Sequence, residues 1–189
     1  MDGNKHVVLI GGNSMITKWF KQTMKANNVV NSGTAYVFNL PFKNVFNQTR
    51  YMAAGSYFQI GNPVSLQLNT NTWGISVGTS DTAATDEDVN LASTITSGLT
   101  GVITNTHGMD RDDPYVLFNI VLTNSTASDI VVREVGFKQN VYSGTTVGAT
   151  TGIGNNLMLV DRTVLSSPLT VPARGNAALQ YKLKCSYNF

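Results

Sequence analysis

Leu157-Met158-Leu159-Val160-Asp161-Arg162-Thr163-Val164-Leu165-Ser166-Ser167-Pro168-Leu169-Thr170-Val171-Pro172-Ala173-Arg174-Gly175-Asn176-Ala177-Ala178-Leu179-Gln180-Tyr181-Lys182-Leu183 decides the fold class of this chain. It reads as strand, short corner, strand, turn, strand. Asp161-Arg162 sits where the first strand should end. Pro168 and Pro172 bracket an extended step, because proline lacks an N–H and biases the residue before it toward extended backbone. Gly175-Asn176 is a turn signal, after which Leu179, Tyr181 and Leu183 alternate with polar residues as one face of a half-buried strand.

Upstream the same texture continues. Tyr36, Phe38 and Leu40 alternate before Pro41, and Tyr57, Phe58 and Ile60 precede the breaker Gly61-Asn62-Pro63. Val64, Leu66 and Leu68 alternate with polar residues, as do Trp73, Ile75 and Val77. Val116 to Leu122 is an apolar run interrupted only by Asn119, the pattern of a central strand. With Ile130–Val135 and Leu157–Val160 this makes about eight or nine strands separated by Gly, Asn, Pro or Ser/Thr clusters. Strand–helix alternation is missing, so a parallel α/β fold is excluded. The expected fold is all-β: an antiparallel β-sandwich, jelly-roll or immunoglobulin-like, over residues 51–189.

Residues 1–50 differ and are expected to form an N-terminal assembly arm. Val7–Ile10 suits a short strand. Ser14 suits the cap of a short helix running to about Ala26, with Lys18, Lys21 and Lys25 three and four apart on one face. Met15, Trp19, Phe20 and Met24 supply its apolar stripe. Lys18, Trp19, Phe20, Lys21 and Lys25 are the residues expected to dock on a neighbour. Two loops stand out: Gly78–Asn90, polar and acidic, and Val141–Asn156, uncharged and rich in Ser, Gly and Thr. The second is long enough to reach a partner.

Composition narrows the function. Only 13% of the 189 residues are charged and the net charge is +2, against roughly 25% charged in ordinary domains. A specific nucleic-acid binder would carry a concentrated basic stripe, so no nucleic-acid partner is expected. The single cysteine, Cys185, builds no internal disulfide. Val7–Ile10 is too short for a signal peptide or a membrane span, so synthesis in a cytoplasm and no membrane partner are expected.

The constellations that carry chemistry are weak. Gly11-Gly12-Asn13-Ser14 fits neither nucleotide-binding glycine spacing. Asp86-Glu87-Asp88 with Asn90 offers oxygens for a cation but lacks the spacing of a calcium loop, and reads as a solvated acidic loop. His107 lies near Asp110, Asp112 and Asp113, yet His6 is the only other histidine, and Gly108–Pro114 reads as a turn. The Gly-x-Ser-x-Gly string Gly74–Gly78 lies inside the alternating strand of Trp73, Ile75 and Val77, not on the strand-to-helix turn a nucleophile serine needs. Catalytic residues, metal and cofactors are therefore expected to be none. Arg133-Glu134 and Asp161-Arg162 are charged pairs inside apolar strands. Charges that lose water need partners, so a structural ion-pair site is expected from Glu134, Arg162, Asp161 and Arg133, with Glu134 and Arg162 meeting across two strands.

Val77-Gly78-Thr79 leading to Asp88-Val89-Asn90-Leu91, then Leu122-Thr123-Asn124, then Arg133-Glu134-Val135-Gly136-Phe137, and last the Leu159–Tyr181 segment, resemble in order and spacing a motif set of tailed-bacteriophage virion proteins. The resemblance spans residues 74 to 189. It implies a virion structural protein, released by host lysis, whose mechanism is assembly: a homo-oligomer in a symmetric particle, contacting other virion proteins and copies of itself through the arm and long loops. Tail or neck is favoured over the head. The rival readings are a receptor- or glycan-binding adhesion module, with Trp73 or Tyr142 stacking on host surface sugars, and a capsid decoration protein.

Overall fold

A computed structural model describes residues 7–10, 15–16, 40–52, 57–58, 66, 73–110, 113–142 and 157–184. Among these residues every regular element is a strand: β1 (Val7–Ile10), β2 (Met15–Ile16), β3 (Leu40–Lys43), β4 (Thr49–Met52), β5 (Tyr57–Phe58), β6 (Gly74–Gly78), β7 (Leu99–Asp110), β8 (Asp113–Asn124), β9 (Ile130–Tyr142), β10 (Leu157–Val171) and β11 (Asn176–Lys184).

Two antiparallel sheets carry the fold. The first has the order β1-β11-β8-β7, with β1 added parallel to β11. The second has the order β2-β10-β9-β5, and β6 also pairs with β9. A small hairpin, β3–β4, stands beside them and runs through residue 50; its tip donates the Val45 N–H to Leu157 O at 2.9 Å. The inner faces of the two sheets share one core. Phe118 on β8 meets Phe137 on β9 with ring centroids 5.4 Å apart, and stacks on Tyr181 of β11 at 5.9 Å. Ile75, Val77, Leu99, Ile120, Leu122, Val132, Val135 and Leu179 fill the space around them. Burial of this apolar surface is the main stabilising term.

Among the described residues the strands form where alternation foretells them, with four differences, while Tyr36, Phe38, Ile60, Val64 and Leu68 lie outside the described residues. Val116–Leu122 lies inside β8, flanked by β7 and β11. β7 is a twelve-residue strand that alternation does not reveal, because Thr, Asn and Gly occupy half of its positions; register with β8 along its whole length holds it extended. The supposed turn Gly108–Pro114 is strand end, hairpin and strand start, with Asp110 opposite Asp113. Met15 and Ile16, expected to open a helix, instead pair with Arg162 and Asp161 of β10; the remainder of that helix, with Lys18, Trp19, Phe20, Lys21 and Lys25, lies outside the described residues. So do residues 143–156 of the long neutral loop, whose first two residues belong to β9.

The corner expected at Asp161-Arg162 is a β-bulge within one continuous strand. Leu159 pairs with Lys138 and Asp161 with Phe137, so Val160 and Asp161 together face one partner residue. An extra residue bends the strand and shifts which side chains point inward. A larger irregularity follows, where Leu165–Pro168 stand against Arg133 alone. Pro168 sits exposed there, where the ladder requires no N–H. The turn into β11 is Pro172–Gly175, closed by Gly175 N–H to Pro172 O at 2.9 Å. Its left-handed residue is Arg174 (φ 53°), not Gly175.

Candidate functional site

The acidic segment after β6 folds back over the outer face of the second sheet. Thr79 N–H bonds Ser93 O and Ile95 N–H bonds Val77 O, both at 2.9 Å. Within it Thr85 and Asp88 close a turn: the Thr85 N–H donates to Asp88 Oδ2 at 3.0 Å and its hydroxyl to Oδ1 at 2.9 Å.

Arg162 is the centre of what the loop covers. The residue is 1% exposed, yet every arm of the guanidinium is used. Nε donates to Glu134 Oε2 at 2.7 Å, NH1 to Asp88 Oδ2 at 2.8 Å and to Ala83 O at 3.3 Å, and NH2 to Thr82 O at 2.8 Å. Glu134, fully buried, also accepts the N–H groups of Ala92 (3.1 Å) and Ser93 (2.7 Å). A planar fork suits such multiple recognition, which a lysine's point charge does not reproduce. Burial alone pulls the guanidinium's proton affinity down, but the bonds to Asp88 and Glu134 outweigh it and raise it. Burial likewise pushes Asp88 up, while the Thr85 N–H, Arg162 and the Thr85 hydroxyl together hold it below the usual carboxylate range.

Two glycines make the approach possible. A Cβ on Gly78 would lie 2.4 Å from both Ser93 O and Glu134 Oε1. A Cβ on Gly136, opposite Arg162 in register, would lie 2.4 Å from a Leu91 methyl and 3.3 Å from Asp161 O. Neither position has room for a side chain.

Asp161, next to Arg162 in sequence, is not part of this cluster. Because of the bulge it faces the interior, where Oδ2 accepts the hydroxyls of Tyr181 and, at 3.1 Å, Thr163. Burial is the main reason its carboxyl is pushed up to about 6, against which the two hydroxyls act. Burial and the adjacent carboxylate raise Tyr181 well above the usual phenol value. Arg133 is also outside the buried cluster. It reaches Asp81 at 3.8 Å on the surface, with both side chains well exposed, a pairing of little energetic weight.

Of the four residues expected to form an ion-pair site, the structure thus brings Glu134 and Arg162 together, sends Asp161 to a tyrosine and leaves Arg133 outside. It adds Asp88, which sequence reading had placed in a solvated loop. No local pattern marked Asp88, since its partner is 74 residues away.

A second cluster ties the end of β8 to that of β10. Asn124, 1% exposed, donates to Ser128 O (2.8 Å) and Val171 O (3.1 Å) and accepts the Thr126 N–H (2.8 Å) and hydroxyl (2.7 Å). Its own N–H reaches Gly175 O at 2.9 Å. Compared with protein-family models, with curated proteins and with solved structures, the chain matches none. What remains is the chain's own geometry. The motif residues Gly78, Asp88, Leu91, Glu134, Gly136 and Arg162 converge on the first cluster, and Asn124, Pro172 and Gly175 on the second.

The remaining candidates disperse. His107 is exposed on β7, opposite Val116. Asp110 pairs with Lys182 at 3.0 Å and Lys184 at 3.5 Å. Trp73 is half-buried just before β6. Among the described residues no three His, Cys, Asp or Glu side chains gather as metal ligands. Lys138 is buried with its Nζ unpartnered, and burial draws that amine down to about 8.

Proposed function

We propose that the chain is a structural component of a tailed-phage virion, a β-sandwich of jelly-roll or immunoglobulin-like kind that works by assembly. Tail or neck is its place rather than head, and its partners are other virion proteins and copies of itself. One observation carries the reading. The residues behind the resemblance, scattered from Gly78 to Gly175, meet in two packed clusters that hold loops onto the sheets. A resemblance made of residues that cooperate in space is more than a chance string match, because each one alone stabilises little. Arg162, Glu134 and Asp88 have their polar atoms occupied by fixed protein partners, which suits a rigid building block.

Peptide mass spectrometry of purified particles from the source phage tests this: the chain is expected at fixed stoichiometry with other structural proteins. Its absence from complete particles would sink the proposal. For the arm, deleting residues 1–30 is expected to abolish incorporation. That deletion removes β1 and β2, which pair with β11 and β10, so Trp19→Ala with Lys21→Glu is the cleaner variant. Normal incorporation of a folded variant of this kind would end the arm hypothesis.

A further inference from the structure

The outer faces of the two sheets are treated differently. That of the second sheet lies beneath the Thr79–Ser93 loop. Among the described residues no loop covers that of the first sheet: Val102 is 70% and Val121 46% exposed, and they stand opposite each other in register. The row continues to Ala178 on β11, whose backbone pairs with that of Val7 on β1. On β7, Thr100, Thr104 and Thr106 alternate with Val102 on this face and are exposed, as are His107 and Met109 farther along the strand.

We propose that this face is a self-association surface, on which a second copy of the chain packs with the same face about a twofold axis running across the strands. Size is the first argument. Strands of four, nine, twelve and twelve residues form the sheet. At about 3.4 Å per residue and 4.8 Å between strands they cover roughly 600 Å² in plan. Side-chain relief brings this toward the roughly 800 Å² per partner of an ordinary specific interface. Charge is the second argument, and it selects the axis. Lys182, Lys184 and Asp110 cluster at one end of the face, with Lys182 Nζ 4.2 Å from the centre of the Tyr115 ring. An axis along the strands would set this cluster on its own copy. An axis across them sets it against the neutral end at Thr100, Thr123 and Asn176. Isologous pairing of this kind closes at two subunits, and it is a property of the isolated chain that does not rest on the virion reading.

Analytical ultracentrifugation of the full chain, over a concentration series reaching about 100 µM, tests it. The expected result is a monomer–dimer equilibrium that Val121→Lys and Val102→Lys each weaken at least about tenfold. Asp86→Lys, on the acidic loop, is expected to leave it unchanged. Circular dichroism checks folding; Val102, the more exposed site, decides if the Val121 variant does not fold. A chain that stays monomeric, or a dimer indifferent to both lysines, overturns the proposal. Loss of association in Asp86→Lys would also overturn it, by making a neighbour's acidic loop the occupant.

Discussion

Replacing Arg162 by methionine keeps an unbranched stem and removes the guanidinium. Glu134 then stays fully buried with only the Ala92 and Ser93 N–H groups as partners. Breaking a buried pair from one side costs about 3–5 kcal/mol. The carbonyls of Thr82 and Ala83 and the half-buried Asp88 lose donors as well, but water replaces them at modest cost. Urea unfolding followed by tryptophan fluorescence reads the effect. With a slope near 2 kcal/mol per molar, the midpoint should fall by about 2 M. Loop release gives an independent reading: a glutamate-specific protease should cut after Glu87 faster in the variant than in the wild type. Arg162→Lys should fall between the two, since one ammonium cannot serve Glu134, Asp88 and two carbonyls together. An unchanged midpoint, or unchanged cleavage after Glu87, would refute the reasoning.

Three further outcomes follow from the same geometry. Gly78→Ala should cost about 3 kcal/mol and Gly136→Ala about 1. The first Cβ meets a backbone oxygen and a fixed carboxylate, while the second meets mainly a movable Leu91 methyl; thermal melts giving the reverse order would contradict this. Asp161 is held near 6 when folded against an unperturbed 3.8, so the native state binds the extra proton. Its contribution to stability is greatest below about pH 4 and is lost as pH rises toward about 6, by roughly 3 kcal/mol. Asp161→Asn should flatten that decline in urea titrations at several pH values, and parallel wild-type and variant curves would sink the idea. Lys138, buried without a partner and lowered to about 8, holds its proton less well folded than unfolded. Stability should therefore rise as pH climbs from about 8 to 10.5, and Lys138→Met should remove that rise while stabilising the protein at pH 7 by about 2 kcal/mol. A variant less stable than wild type at pH 7 would count against an unpaired amine.

Much of the fold was legible because strand alternation is a local signal. Leu179, Tyr181 and Leu183 show their inward face in three letters of sequence, and Val116–Leu122 shows a central strand, which pairs with β7 and β11. β7 was not legible, since a Thr- and Gly-rich strand is held extended by its neighbour rather than by its own pattern. Arg162 and Glu134 stood out because charges inside apolar strands demand partners wherever they end up. Asp88 did not, because acidic residues in polar loops are usually solvated.

The sequence by itself determined an all-β chain, its main strands, and a buried ionic need at Glu134 and Arg162. Only the tertiary structure decided which groups meet that need. One extra residue near Val160 turns Asp161 inward to Tyr181 and leaves Arg162 outward under the loop. Side chains alternate with period two, so a single bulge reassigns the residues that follow it, up to the next irregularity at Leu165–Pro168, to the other face. That shift is a property of pairing with β9, invisible in β10 alone.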